Sequence, residues 1–145
     1  MPTASVSAIH EREWLVGIDE PVLVTGANGF IGSETVKTLL EHGFRNIRCF
    51  VRPSGNLDRL QEVALGHPNG ASAVRIVEGN LLDPADCART ATGAKVIFHL
   101  AAGFDKSFAG CVMNSVLTTR NLLDAAVADR SLKRFVNVSS FATEA

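Results

Sequence analysis

The sequence predicts an α/β protein built on a doubly wound parallel sheet. Two observations lead to this fold class. Short apolar runs alternate with helical segments from Pro21 onwards, and the first run passes into a helix through three glycines, Gly26, Gly29 and Gly32. Short helical connections join parallel strands by right-handed crossovers, so we expect the strand order 3-2-1-4-5 with helices on both faces.

The first half of the chain contains three of the predicted strands. PVLVT, at residues 21–25, is a bounded β-branched run of the kind that a sheet buries on both faces. A helix over Gly32–His42 follows. IRCFV (47–51) predicts the second strand, and a helix that begins at Leu57 separates it from the third strand, AVRIV (73–77).

The second half contains two more strands. Asp83 as N-cap and Pro84 at the first helical position predict a helix before strand four, KVIFHLA (95–101). A long helix over Lys106–Asp129 precedes strand five, RFVNVSS (134–140). We expect the buried face of that helix to carry the apolar stripe Val112, Val116, Thr119, Leu123, Ala126 and Val127.

The length of 145 residues suits one domain. Residues 1–19 carry no sustained period and are interpreted as an N-terminal extension, packed through Trp14, Leu15 and Val16, and residues 20–145 as the domain. The formal net charge of −1 gives no electrostatic case for nucleic acid, and no apolar run approaches the roughly 20 residues of a membrane span. We therefore expect a cytoplasmic protein.

The cysteines and histidines predict no metal site. Cys49, Cys87 and Cys111 are widely spaced in apolar or helical contexts, without a C-x-x-C pair or a Cys/His cluster, which favours inert thiols. His99 lies within the fourth apolar strand, and we interpret it as structural.

The three glycines favour a phosphate-binding turn. Gly26 lets the chain leave a strand within a few residues, and Gly29 leaves the helix N-terminus open to an anion. Gly32 lets the helix lie close to the sheet. The alternative is a purely structural strand–helix turn, but the position inside a βαβ unit favours a pyrophosphate.

VTGANGFIG, at residues 24–32, resembles the cofactor loop of the extended short-chain dehydrogenase/reductase superfamily. EGNLLD (78–83), VIFHLAAG (96–103), SVLTTRNLLDAA (115–126) and RFVNVSS are similar to later motifs of that superfamily, in the same order. The extended branch includes sugar-nucleotide epimerases and dehydratases, 3β-hydroxysteroid dehydrogenases and dihydroflavonol-type reductases. The resemblance implies a Rossmann-like domain that binds NAD(P), and hydride transfer to or from a carbonyl or hydroxyl substrate.

The resemblance also implies which residues contact the dinucleotide. Asn80 stands where the superfamily has an adenine-contacting Asp, and Ser115 replaces the Asn that begins its helix motif, with Asn114 just before it. The implied cofactor-binding residues are Gly26, Asn28, Gly29, Phe30, Ile31, Gly32, Arg52, Asn80, Leu81, Ala101, Ala102 and Ser139.

Arg52 indicates the cofactor. NAD-selective members end strand two with a carboxylate for the ribose 2′-OH, whereas this strand ends in CFVRPSGN. A guanidinium at this place can bind a 2′-phosphate through two hydrogen bonds. The sequence therefore favours NADP(H), with NAD(H) as the alternative.

Catalysis in the superfamily uses a Tyr and a Lys in Y-x-x-x-K, with a Ser or Thr that polarises the substrate. Ser140 is the candidate for that hydroxyl, but the chain contains no tyrosine and its last lysine is Lys133. We therefore expect a cofactor-binding half that is truncated after strand five, lacks the substrate lobe and is inactive alone. The alternative is a complete, non-catalytic nucleotide-binding or sensing protein. In either case strand five is expected to leave a sheet edge at which chains associate.

Overall fold

The computed structural model describes residues 14–103 and 106–139. Helices and strands alternate along it as the sequence predicts. The strands are β1 (Val22–Thr25), β2 (Ile47–Val51), β3 (Val74–Glu78), β4 (Val96–His99) and β5 (Arg134–Asn137). The helices are α1 (Phe30–Glu41), α2 (Asp58–Gly66), α3 (Gly70–Ala73), α4 (Pro84–Ala91), α5 (Phe108–Cys111) and α6 (Thr118–Asp129), with a π-helical segment (Val112–Leu117) joining the last two.

The five strands form one parallel sheet in the order β3-β2-β1-β4-β5. β1 is central, and Thr25 at its carboxyl end lies level with Phe50 of β2 and His99 of β4. Both predictions, the doubly wound fold class and the strand order, are confirmed. The order reverses between β1 and β4, which is where sheets of this kind bind their ligands.

Each face of the sheet is covered by its own apolar cluster. On one face Val36 and Leu40 of α1 pack with Leu60 of α2 and with β-strand residues such as Val24. On the other face Leu122 and Ala126 of α6 pack with Cys87 and Ala91 of α4 over Leu23 and Ile97. The sheet is therefore rigidly held between two helical layers, and its carboxyl edge is a stable platform.

The segment before β1 packs onto the first layer. Val16 is buried in the same cluster as α1, and the Trp14 ring lies edge-on to His42 and Phe44, with centroids 5.1 and 5.7 Å apart. Leu15 is half exposed. The boundary between an extension at 1–19 and a domain at 20–145 stays a prediction. Within the described ranges, no helix is long and apolar enough to cross a membrane.

The predicted stripe of the long helix is wrong at Val116, Leu123 and Val127, and it is correct at Ala126. Val116 and Val127 are 59% and 73% exposed, and Leu123 also faces outward, whereas the buried positions are Thr118, Leu122 and Ala126. The π-helical segment holds more residues per turn than an α-helix and rotates the face that follows. Thr118 tolerates burial because its hydroxyl donates to the Asn114 carbonyl at 2.9 Å.

Candidate functional site

A cleft of about 480 Å³, called here the main cleft, opens at the carboxyl ends of β1, β2, β3 and β4. It contains eleven of the twelve predicted cofactor-binding residues. These are Gly26, Asn28, Gly29, Phe30, Ile31, Gly32, Arg52, Asn80, Leu81, Ala101 and Ala102. Residues spread over 77 positions of sequence therefore share one cavity, at the place where the strand order reverses.

Two of the glycines are required by close packing of the backbone. Gly26 has φ of +67°, and a Cβ there would lie 2.8 Å from the Ala101 nitrogen. A Cβ on Gly32 would overlap the Gly26 carbonyl and lie 2.8 Å from the Ala27 Cα. These contacts press the start of α1 against β1 and β4, so the helix begins directly beneath the cleft.

Gly29 is different, because the fold itself tolerates a side chain there. It is the N-cap of α1 with φ of −75°, and a Cβ would meet only the Gly26 carbonyl, at 3.2 Å. No side chain caps the helix, and α1 has no acidic residue in its first turn. Among the described residues, Phe30, Ile31 and Gly32 of that turn line the main cleft and no side chain caps their N–H groups, as an anion site requires.

Arg52 lies at the rim of the cleft, directly after β2. Its side chain is exposed, and its carbonyl accepts from the Gly55 nitrogen at 2.9 Å, which closes a tight turn. Phe30, the first residue of α1, also lines the cleft; it is 67% exposed and has the Arg59 guanidinium 5.1 Å from its ring centroid. This side of the cleft therefore carries positive charge close to the free end of α1.

Asn80 and Leu81 form the wall beyond β3. The Asn80 Oδ1 accepts a hydrogen bond from the Leu82 nitrogen at 3.0 Å. The Nδ2 donor of the same amide therefore points in another direction. The Asn80 nitrogen donates to Asp86 Oδ2 at 2.8 Å, and hydrogen bonds from Arg89 and from Asn80 lower the pKa of Asp86. The wall is therefore held by a carboxylate that stays charged, and it presents an amide donor beside a buried leucine.

His99 is a buried link beneath the cleft. Its Nδ1 lies 2.7 Å from Thr25 Oγ1, and its Nε2 lies 2.9 Å from Thr119 Oγ1. Thr119 donates its own proton to the Ser115 carbonyl, so Nε2 carries the ring proton and Nδ1 accepts from Thr25. Burial lowers the His99 pKa to about 4, so the ring is neutral at pH 7. This geometry supports the structural interpretation of His99.

Seven residues that line the main cleft were not among the predicted cofactor-binding residues. They are Phe50, Val51, Leu82, Leu100, Gly103, Asn114 and Thr118. Asn114 and Thr118 belong to the long helix, and a Cβ on Gly103 would overlap the Asn114 side chain, so helix and β4 loop touch there. The available signal in the sequence was that Asn114 directly precedes Ser115, where the superfamily motif has an Asn. The π-helical segment directs Asn114 into the cleft.

One predicted cofactor-binding residue does not line the main cleft. Ser139 follows β5 and is exposed, outside the residues that line the cavity. Ser140 lies outside the described residues.

Cys49 and Cys87 are buried free thiols, and burial raises the pKa of the first to about 12 and of the second to about 11. Among the described residues, no group of His, Cys, Asp and Glu is placed to hold a metal ion.

A comparison with family models matches residues 22–144 to the NAD dependent epimerase/dehydratase family. The chain belongs to this family. The match confirms the predicted resemblance to the extended short-chain dehydrogenase/reductases, and it includes every strand of the sheet.

Individual relatives agree with this membership. Aldehyde reductase 2 of Sporidiobolus salmonicolor is 36% identical over 121 residues, which is 82% of this chain and 35% of that protein. Dihydroflavonol 4-reductase of Arabidopsis thaliana is 32% identical over 133 residues, which is 89% of this chain and 34% of that protein. The chain thus spans about a third of the length of these relatives.

A solved structure is also similar. A short-chain dehydrogenase/reductase superfamily protein from Agrobacterium tumefaciens, solved with bound NAD, superposes with a TM-score of 0.61 at 30% identity. The superposition covers 82% of this chain and 32% of that one. The chain is therefore an NAD(P)-dependent epimerase/reductase-family Rossmann domain.

Proposed function

We propose that the main cleft binds a nicotinamide dinucleotide, and that the chain is the cofactor-binding part of a reductase, dehydrogenase or epimerase. The uncapped N-terminus of α1, opening into the cleft beside Gly29, is the observation that carries this proposal. The pyrophosphate would take the free N–H groups of the first turn. When bound, the cofactor supplies or accepts a hydride, and the chain's residues hold it in place.

The two ends of the cleft would receive different halves of the cofactor. The adenosine ribose lies beside the end of the second strand in this fold, so Arg52 faces it and Asn80 and Leu81 face the base. The nicotinamide would lie towards Ala101, Ala102 and Ser139, near the ends of β4 and β5. Ser140 keeps its proposed role as the hydroxyl that polarises a substrate oxygen.

Arg52 supports a preference for NADP(H) over NAD(H). It is exposed at the rim, and no Asp or Glu occurs between His42 and Leu57 to take a ribose 2′-OH. An arginine can pair with a 2′-phosphate through a charged, two-point hydrogen bond. NAD bound to the similar Agrobacterium protein supports the general cofactor class and leaves this preference as our proposal.

Titration calorimetry of the 145-residue chain with a Gly29→Val variant tests dinucleotide binding. We expect the variant to fold and to lose binding, because its side chain would occupy the phosphate position while meeting only one backbone atom of the protein. Gly66→Val is the matched control, since a Cβ at Gly66 meets nothing within 4 Å. Equal binding by Gly29→Val and the unaltered chain would show that the phosphate lies elsewhere.

An Arg52→Asp variant tests the cofactor preference. Loss of a charged hydrogen-bonded pair should weaken NADPH binding by about 1.5–3 kcal/mol and NADH binding much less. Arg45→Asp is a suitable control, because Arg45 is exposed just before the opposite end of β2. Equal losses for both cofactors would mean that Arg52 does not face the 2′ position.

A further inference from the structure

The side chain of Asn28 reaches away from its own loop. Asn28 lies between Gly26 and Gly29, and its Nδ2 donates to the Asn56 carbonyl at 3.0 Å. The acceptor is a carbonyl, so the amide nitrogen and not the oxygen must face it. The phosphate-binding turn is therefore joined to the segment after β2 by a hydrogen bond between residues 28 positions apart.

That segment, residues 52–56, carries Arg52 and has few other attachments. Its turn is closed by the Gly55 nitrogen donating to the Arg52 carbonyl, and Asn56 Oδ1 accepts from the Asp58 nitrogen at 2.8 Å. Both of these bonds are local in sequence. Among the hydrogen bonds of the described residues, the bond from Asn28 is the one that ties the segment to another part of the molecule.

Gly55 makes room for this contact. A Cβ at Gly55 would lie 2.7 Å from Asn28 Nδ2 and 3.1 Å from the Arg52 carbonyl oxygen. The amide thus packs against the middle of the turn that Arg52 begins. Asn28 therefore contacts Gly55 and Asn56, and the Gly55 nitrogen in turn donates to the Arg52 carbonyl.

We propose that Asn28 is a positioning residue whose amide fixes the 52–56 segment, and that this contact sets how strongly Arg52 discriminates NADP(H) from NAD(H). The inference rests on the proposed function. A segment held in advance loses less conformational freedom when Arg52 engages a phosphate, so affinity for that phosphate increases. NADH has no 2′-phosphate, so its affinity depends less on where Arg52 lies.

The experiment measures dissociation constants of NADPH and NADH for the 145-residue chain by calorimetry. Asn28→Ala should weaken NADPH binding roughly three- to tenfold more than NADH binding, the range for one hydrogen bond, because any direct contact of Asn28 with the dinucleotide is common to both cofactors and cancels in the ratio. Gly55→Ala approaches the same contact from the other side and should lower the NADPH/NADH selectivity in the same direction. In an Arg52→Ala background, Asn28→Ala should leave the selectivity unchanged.

Asn46→Ala is the matched control, because Asn46 makes the same kind of bond, from Nδ2 to the Asp19 carbonyl at 3.3 Å, at the opposite end of β2. It should not alter the selectivity. The inference is overturned if the unaltered chain binds both cofactors and Asn28→Ala weakens them equally or not at all. Failure of the proposed function looks different, since the unaltered chain would then bind neither cofactor.

Discussion

The two halves of the main cleft are built differently. On the β1–β2–β3 side, the glycine turn, Arg52 and Asn80 each lie within two residues of a strand end, and each makes a hydrogen bond that is local in sequence. On the β4–β5 side, the wall is formed by Ala101 to Gly103 together with a helix that starts only at Phe108. That helix reaches the cleft through a π-helical segment and exposes valines on its outer face.

The difference shows which features local sequence determines. A strand end places the next residue at the carboxyl edge of the sheet whatever the rest of the chain does, so the first side follows from strand positions alone. The second side depends on how a long helix is rotated over the sheet. That rotation is set by Leu122 and Ala126 packing against α4, and by the bond from the Thr118 hydroxyl to the Asn114 carbonyl, which no periodicity reveals.

The largest expected effect concerns catalytic turnover, and observing turnover would contradict the difference between the two sides of the cleft. We expect the 145-residue chain to bind cofactor and show no reduction of aldehydes, ketones, sterols or nucleotide sugars, followed by nicotinamide absorbance. The chain contains no tyrosine to exchange the proton, a contribution of about 10²–10⁴ in rate, and substrate positioning contributes a further ~7–11 kcal/mol. Robust cofactor-dependent turnover that disappears in Ser140→Ala would show that the second side is complete without that donor.

Substitutions at two glycines test the β1–β2–β3 side of the cleft. Gly32→Ala should lower the free energy of unfolding by about 3 kcal/mol, the upper part of the range for overpacking, because its Cβ would overlap the Gly26 carbonyl. Gly29→Ala should change stability by less than about 1 kcal/mol, since its Cβ needs only a small shift of the same carbonyl. Urea denaturation measures both. Equal losses would mean that close packing at Gly32 is not what the turn requires.

The same reasoning explains how much of the fold the sequence predicted. Four of the five strands lie within two residues of the predicted runs, β5 ends three residues before its predicted end, and Asp83 caps α4 by accepting from the Ala85 nitrogen at 2.8 Å, as expected. The short helix Gly70–Ala73 was missed, because four residues carry no period. The predicted burial of Leu123 and Val127 in α6 was wrong, since an apolar stripe marks the buried face of a helix only where the helix stays regular.

The candidate site divides in the same way. Every predicted residue from the glycine turn to Ala102 lines one cavity, because each follows a strand of the same sheet. Asn114 and Thr118 were not among the predicted residues, since their direction depends on how the long helix packs, including the contact of Asn114 with the loop after β4 at Gly103. Whether these residues hold a dinucleotide stays a proposal, and so does the role of Ser139.

His99 lies at the junction of the two sides and predicts a pH effect. Its pKa is lowered by burial from 6.5 to about 4, which corresponds to at most about 3 kcal/mol of stability for the neutral ring. Because the folded pKa is the lower one, this contribution is complete above pH 6.5 and declines as pH falls from 6.5 towards 4. It is absent below both values.

Urea denaturation of the unaltered chain and of His99→Gln at several pH values measures this contribution. We expect the unaltered chain to be the more stable at pH 7, and the difference between the two to shrink as pH falls to 4. Carboxylates titrate in both chains, so the difference isolates the ring. Parallel stability curves would show that the link from Thr25 to Thr119 does not depend on a neutral imidazole.

The smallest expected effect concerns the outer face of the second side. Ala126 and Val127 are neighbours that the sequence placed together on a buried stripe, whereas the structure leaves Val127 73% exposed and Ala126 2% exposed. Val127→Lys should therefore change the free energy of unfolding by no more than about 0.5 kcal/mol.

Ala126→Lys is the paired variant, and it should unfold the chain or destabilise it severely, because an ammonium would enter the cluster formed by Leu122, Cys87 and Ala91. Exposed apolar surface also favours association between chains, as does the side of β5 that has no neighbouring strand among the described residues, so Val127→Lys should reduce any self-association that sedimentation detects. Similar destabilisation by Val127→Lys and Ala126→Lys would mean that both side chains are buried, as the predicted stripe requires. It would mean that the helix lies on the sheet about one residue further round, with Val127 turned inward and Asn114 turned out of the cleft.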